Sequence, residues 1–143
     1  GAELYVATRS ADAQELAREL GATWVGGAAD PPPVRLDAAI LFAPVGDLVL
    51  PAMAALDRGG VLAVAGIHLT DVPPLDYRAH LFEERELRSV TANTRRDGEE
   101  LLALAPRLGV HATVQPYALD RADDALSDLA HGRVTGAAVL SVR

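Results

Sequence analysis

The residues best suited to bind a ligand are a short polar triplet, Thr8-Arg9-Ser10, which follows an apolar run typical of a strand. A guanidinium group pairs well with a phosphate dianion, and the two flanking hydroxyl groups can add hydrogen bonds. No acidic residue stands between this run and Asp12, so no carboxylate there repels an anion. These residue types are compatible with binding a phosphate; the alternative is a solvated arginine beside a helix cap.

The four histidines do not form a metal-binding pattern. His80, His111 and His131 lack spaced Asp, Glu or His partners of the kind that a metal site needs. His68 follows a predicted strand, where it either lines a cleft or is solvated. The chain contains no cysteine, which excludes disulfides and thiolate ligands within it and is in keeping with a cytoplasmic location.

Composition and charge limit the classes of partner. The length of 143 residues is that of one domain. Because 50% of the residues are hydrophobic but only 4% are aromatic, we expect a core of aliphatic side chains. The net charge of −7 argues against binding to nucleic acid or to an anionic membrane surface. The apolar runs at residues 38–43 and 61–67 are far shorter than the ~20 residues that span a bilayer.

The strongest fold signal is residues 56–67, LDRGGVLAVAGI. We expect a helix to end at the pair Gly59-Gly60, because glycine commonly supplies the left-handed cap of a helix. The apolar run at residues 61–66 does not alternate, which is typical of a strand covered on both faces in a parallel sheet. The sequence therefore predicts a doubly wound α/β fold, in which ligands bind at the carboxyl ends of the strands.

Periodicity and turn residues predict alternating strands and helices along the chain. Ser10 and Thr94 are expected to cap the helices that follow them. The other predicted strands are residues 4–8, 23–25, 37–42, 87–92, 113–117 and 137–142. Predicted helices begin near residues 10, 47, 77, 94 and 120.

One element of a dinucleotide-binding domain is missing. Such domains begin with a strand, a G-x-G-x-x-G turn and a helix, and this chain contains no such motif. We therefore expect an incomplete Rossmann-like doubly wound parallel sheet with a C-terminal strand-helix-strand segment, as part of a larger protein.

Five segments, in order, carry a family resemblance: VATRS at 6–10, ELARELGATW at 15–24, DAAILFAPVG at 37–46, LDRGGVLAVAGI at 56–67 and HGRVTGAAVLSV at 131–142. Together they resemble the medium-chain, zinc-type alcohol dehydrogenases over essentially the whole chain. The resemblance implies that residues 1–93 are a partial NAD(P)-binding Rossmann domain without its first strand and glycine motif. Residues 94–143 would be a helix and a segment that returns to the catalytic domain. The family's zinc ligands and proton relay would lie upstream of Gly1.

The resemblance implies a role for the polar triplet in cofactor choice. In dinucleotide-binding folds an acidic residue at this strand end binds the ribose diol of NAD, whereas a basic or small polar residue admits the 2′-phosphate of NADP. Thr8, Arg9 and Ser10 would therefore favour NADP over NAD.

Two further groups of residues are implied to bind the cofactor. Ala43, Pro44 and Val45 would pass beneath the adenosine and the sugars, and Gly46 would allow close backbone approach. The alternative is an ordinary strand-to-helix turn.

A second group would hold the nicotinamide carboxamide, although core packing explains its apolar character equally well. Its members are Ala65, Gly66, Ile67, Val90, Thr91 and Ala92.

One residue departs from the family pattern. The family often has an arginine after the glycine of the last motif, whereas Gly136 is followed here by Ala137. This removes one expected contact with the pyrophosphate.

The implied activity belongs to an enzyme of which this chain is a part. That enzyme would transfer a hydride between an alcohol or aldehyde and NAD(P), with zinc polarising the substrate oxygen. This chain would orient the cofactor and would be inactive alone. The family also implies a homodimer formed through the predicted edge strand at 87–92. The alternative is a stand-alone nucleotide-binding or interaction module without catalysis.

Overall fold

The computed structural model describes residues 1–142, and the chain divides into two compact units, Gly1–Ala92 and the segment from Asn93 onward. The strands are β1 (Tyr5–Ala7), β2 (Trp24–Gly26), β3 (Leu36–Leu41), β4 (Leu56–Val64), β5 (Glu86–Ser89), β6 (Val114–Ala118) and β7 (Ala137–Ser141). The α-helices are α1 (Ala11–Glu19), α2 (Val49–Ala55), α3 (Tyr77–His80), α4 (Arg95–Leu104) and α5 (Ala122–Ala130). Short 3₁₀ turns occupy Gly46–Leu48, Pro106–Leu108 and Leu119–Arg121.

All the strand pairs in the described part of the chain are parallel. The first unit contains the pair β1-β2 and a sheet with the order β3-β4-β5, and the second unit contains the pair β6-β7. This confirms the predicted α/β class, with β4 between two neighbours and β5 at an edge. The strands β1 and β3 are not paired with each other, so the parallel strands of the first unit form two small sheets.

The core of the first unit lies on one face of the three-stranded sheet. Leu62 and Val64 of β4 point to this face and are buried, as is Leu41 of β3. Val49 and Met53 on α2 are fully buried against them, together with Leu56. The apolar face of α2 therefore covers β3 and β4 from one side.

The other face of this sheet, called the open face below, is only partly covered: Val61 and Ala63 of β4 are half-buried there, whereas the sequence predicted a strand covered on both faces. Ile40 occupies the open face and is 62% exposed, although its neighbour Leu41 is only 8% exposed. The physical reason is the position of the helices in the first unit: α2 packs against β3 and β4, whereas α1 packs against β1 and β2.

The prediction that a helix ends at Gly59-Gly60 is also wrong. Helix α2 ends at Ala55, and Leu56 already pairs with Leu36 of β3. The next register pair is Ala38 with Val61, so residues 57–60 form an irregularity inside β4. Gly59 has a φ of 66° and shapes this bulge, not a helix cap.

Both predicted helix caps are confirmed. The Ser10 hydroxyl accepts a hydrogen bond from the Ala13 N–H at 3.3 Å. Thr94 forms a capping box, because its hydroxyl accepts from the Asp97 N–H at 3.2 Å and the Asp97 carboxylate accepts from the Thr94 N–H at 2.7 Å. The Thr94 hydroxyl also donates to this carboxylate, at 2.8 Å. The bonds from the Thr94 N–H and hydroxyl lower the pKa of Asp97 below its ordinary value.

The region before β5 is a short helix followed by a turn. Helix α3 ends at His80, and the chain then turns through Glu84, which has a φ of 59°. The Arg85 side chain, only 6% exposed, donates to the Ala79 carbonyl at 2.8 Å and pairs with Glu83 at 2.7 Å. This arginine holds the turn in place and so defines where β5 begins.

No helix in residues 1–142 is both long and apolar enough to span a bilayer.

Candidate functional site

Three strand ends of the first unit meet at one edge of the sheet. The Ala65 N–H donates to the Leu41 carbonyl at 2.9 Å, which places the segment after β4 beside the end of β3. The Val90 N–H donates to the Val64 carbonyl at 2.9 Å, which continues the pairing beyond β5. The carboxyl ends of parallel strands are where ligands bind in α/β sheets, so this edge is the candidate site.

Two of the three groups that the sequence singled out come together here. A Cβ atom at Gly66 would lie 3.2 Å from the Phe42 carbonyl oxygen and 3.4 Å from the Ala43 carbonyl oxygen. The predicted nicotinamide group (Ala65, Gly66, Ile67 and Val90) therefore adjoins the predicted adenosine-side turn of Ala43, Pro44 and Val45. Thr91 and Ala92 follow Val90 and are exposed.

Each of these strand ends carries an exposed apolar side chain. Phe42 is 72% exposed, Ile67 79% and Val90 49%. Apolar surface gathered at a strand-end edge is suited to cover the flat face of a ring, and the backbone groups beside it can position polar substituents.

Gly46 does not have the role predicted for it. A Cβ atom at Gly46 would overlap the backbone carbonyl oxygens of Thr70 and Asp71. The close approach that glycine permits is therefore made by the chain's own backbone. The expectation that Gly46 admits a cofactor to close range is wrong, because the space is filled.

The polar triplet lies at the end of β1 and the start of α1. The Thr8 N–H donates to the Gly26 carbonyl at 3.0 Å, and its own carbonyl accepts from the Gln14 side chain at 2.8 Å. Ser10 uses its hydroxyl oxygen as the cap of α1. Arg9 is exposed and forms no hydrogen bond or ion pair with residues 1–142. Its guanidinium is therefore free to bind an anion.

The structure does not bring this triplet into the same sheet as the other two groups. It follows β1, which pairs only with β2, whereas the other groups follow β3, β4 and β5.

The histidines play local roles in the described structure. The Nδ1 atom of His80 lies 2.9 Å from the Asp76 carbonyl oxygen, and that of His131 lies 2.7 Å from the Ser127 carbonyl oxygen. His68 is exposed beside Ile67. Within residues 1–142, no group of three or more His, Asp or Glu side chains is placed to hold a metal ion.

The second unit contains a polar network between β6 and α5. The Tyr117 hydroxyl donates to Asp128 at 2.9 Å, and Arg133 donates to the same carboxylate at 2.8 Å. Burial and the bond to Asp128 raise the pKa of Tyr117, whereas the bonds from Arg133 and Tyr117 lower the pKa of Asp128. Since every group has a partner, the network serves to hold α5 on β6.

Sequence reasoning missed one residue of the candidate site. The Thr70 hydroxyl accepts a hydrogen bond from the Gly46 N–H at 2.8 Å across 24 residues of chain. A lone threonine in a proline-containing loop gives no periodic or motif signal, so only the folded loop reveals this contact.

Solved structures of alcohol dehydrogenases share this fold. The chain matches an alcohol dehydrogenase from Thermotoga maritima with a TM-score of 0.81 and 17% identity, over 98% of this chain and 43% of that one. It also matches CAD from Helicobacter pylori, solved with NADP(H), with a TM-score of 0.77 and 20% identity, over 98% of this chain and 41% of that one. The fold is therefore that of one part of the Rossmann-like alcohol dehydrogenases.

The sequence agrees with this class. The chain is 59% identical over 142 residues to the "Probable alcohol dehydrogenase AdhA" of Mycobacterium tuberculosis, and the match covers 99% of this chain. The chain spans 41% of the length of that relative. No family model matches the chain. The chain is thus homologous to part of an alcohol dehydrogenase, which confirms the resemblance that the five sequence segments carried.

Proposed function

We propose that this chain is the cofactor-binding portion of an NAD(P)-dependent, zinc-type alcohol dehydrogenase. The observation that carries the proposal is the meeting of three strand ends, at Leu41, Val64 and Val90, in a chain that is 59% identical to part of the "Probable alcohol dehydrogenase AdhA". In this proposal residues 1–93 are a partial NAD(P)-binding domain. Residues 94–143 form a helix and the segment that returns to the catalytic domain.

The strand-end residues orient the nicotinamide cofactor. The turn of Ala43, Pro44 and Val45 supports the adenosine and sugars. The segment Ala65-Gly66-Ile67, with Val90 and Ala92, holds the nicotinamide carboxamide through backbone groups other than the Ala65 and Val90 N–H groups, which are bonded within the sheet. The exposed side chains of Phe42 and Ile67 then shield the rings from water.

Arg9 gives the proposed site a preference for NADP. Its guanidinium has no partner in the described structure and follows β1, where an acidic residue would instead select NAD. The Ser10 hydroxyl oxygen already accepts from Ala13, but its hydrogen remains able to bind an anion, and Thr8 adds a second hydroxyl.

The bound cofactor supplies the hydride chemistry, and this chain positions it. No cluster within residues 1–142 fits a zinc ion, so the proposal places the zinc ligands and the proton relay in the remainder of the enzyme. The substrate class is a small alcohol or aldehyde. The absence of cysteine is compatible with work in the cytoplasm.

The proposed enzyme is a homodimer joined at β5. This strand is at the sheet edge, and an unpaired edge is suited to continue the sheet into a second copy. Sedimentation analysis should show dimers. A monomer at high concentration would contradict this arrangement.

The proposed function is tested by assaying the full-length protein and the 143-residue chain in parallel. We expect alcohol-dependent reduction of NADP by the full-length protein and no such activity from the chain alone. Robust activity of the chain alone would contradict the proposal that the zinc ligands and the proton relay lie in the remainder of the enzyme. A full-length protein that binds neither nucleotide would instead support a stand-alone interaction module.

A further inference from the structure

The segment after β4 folds back onto the turn after β3 and is fastened there. The Gly46 N–H donates to the Thr70 hydroxyl oxygen at 2.8 Å. In return, the Thr70 N–H donates to the Pro44 carbonyl at 3.4 Å. The lack of a Gly46 side chain is what allows this contact, because a Cβ atom would overlap the carbonyl oxygens of Thr70 and Asp71.

The same segment is also held at its beginning. Gly66 approaches the Phe42 and Ala43 carbonyl groups, and Leu69 packs against the hydrophobic core. Residues 66–70 therefore form a short loop that is fixed at both ends against residues 42–46. Between the fixed ends, Ile67 and His68 are exposed.

We propose that Thr70 is a positioning residue of the cofactor site. Its hydroxyl fixes the segment at 65–67, which the proposed function assigns to the nicotinamide end, relative to the turn at 43–45, which is assigned to the adenosine side. The inference rests on that proposed function. The new point is that the bond between Thr70 and Gly46, two residues outside the segments 43–45 and 65–67, fixes the distance between those segments.

The chemistry of this contact explains the need for a hydroxyl. Gly46 is buried and opens the 3₁₀ turn before α2, so its N–H has no partner within that turn. A buried N–H without an acceptor is costly, and a loop that loses the bond is expected to shift so that water can reach the group. Thr70→Val keeps the size and β-branching of the side chain but removes the acceptor. Thr70→Ser keeps the acceptor.

The experiment compares the full-length wild type with these two variants. Hydrogen exchange at the Gly46 amide reports the bond without any cofactor, and Thr70→Val should accelerate it about tenfold. Equilibrium titrations then use NADPH and adenosine 2′,5′-bisphosphate. The bisphosphate occupies the Arg9 side of the site and lacks the nicotinamide.

We expect Thr70→Val to weaken NADPH binding about three- to tenfold while leaving the bisphosphate affinity unchanged. Thr70→Ser should restore both exchange protection and NADPH affinity. The inference is overturned if Thr70→Val binds NADPH as tightly as the wild type, or if it weakens both ligands equally, which would mark a general structural role. A wild type that binds neither ligand overturns the proposed function itself, whatever the exchange rate at Gly46.

Discussion

Two neighbouring residues of β3 face opposite sides of the sheet and should respond very differently to the same substitution. Leu41 is 8% exposed within the core, whereas Ile40 is 62% exposed on the open face. Leu41→Asp loses about 1.5–3 kcal/mol of apolar burial and adds a carboxylate with no partner, which costs several kcal/mol more. The sum is a large part of the roughly 5–15 kcal/mol that stabilises an ordinary domain. Ile40→Asp should cost about 1 kcal/mol or less.

Urea unfolding of the 143-residue chain tests this contrast. The single tryptophan, Trp24, lies in β2 of the first unit and provides a fluorescence signal for that unit. We expect Leu41→Asp to abolish the cooperative transition and Ile40→Asp to keep it with a similar midpoint. Equal destabilisation by the two substitutions would show that both faces are covered and that the one-sided core described above is wrong.

Three further predictions concern backbone geometry and charge. Gly136→Ala should destabilise the β6-β7 pair by at least ~2 kcal/mol, because Gly136 has a φ of 82° and a Cβ atom there would overlap the Thr113 carbonyl oxygen. Faster hydrogen exchange in β6 and β7 would report this loss of stability. Arg133 and Tyr117 lower the pKa of Asp128, so their stabilising effect is present above the ordinary carboxyl pKa of about 3.9 and is lost as the pH falls through the lowered value. Asp128→Asn should therefore flatten the acid dependence of hydrogen-exchange protection in β6 and α5 below about pH 4. Glu84→Gly should raise the free energy of unfolding by about 0.5–1 kcal/mol, because Glu84 has a left-handed φ of 59°. Thermal melts measure this effect, and an unchanged melting temperature would show that the turn carries no strain.

The features that could be predicted from the sequence depend on neighbouring residues. Ser10 and Thr94 cap their helices as expected, since each cap satisfies an N–H only three residues away. The apolar run of β4 identified both the strand and its carboxyl end. The candidate site follows from these local signals, because parallel strands bring their ends to one edge.

The features that were mispredicted depend on residues far apart in the chain. The bulge at Gly59 arises from the pairing of β4 with Leu36 and Ala38, which no pattern near Gly59 specifies. The space beside Gly46 is filled by the backbone of Thr70, 24 residues away, and of Asp71. A glycine in a turn does not itself show whether a ligand or a distant loop occupies that space. The open side of β4 likewise depends on which strands α1 packs against.

The central claim, that this chain binds a nicotinamide cofactor with a preference for NADP, is tested most directly by the dissociation constants of NADPH and NADH for the full-length protein and its Arg9→Ala variant. A charge-assisted hydrogen bond to the 2′-phosphate contributes roughly 1.5–3 kcal/mol, which corresponds to about ten- to a hundredfold in affinity. We predict that Arg9→Ala raises the NADPH constant by this factor and leaves the NADH constant nearly unchanged. Equal effects on both nucleotides, or no binding of either by the wild type, would contradict the account.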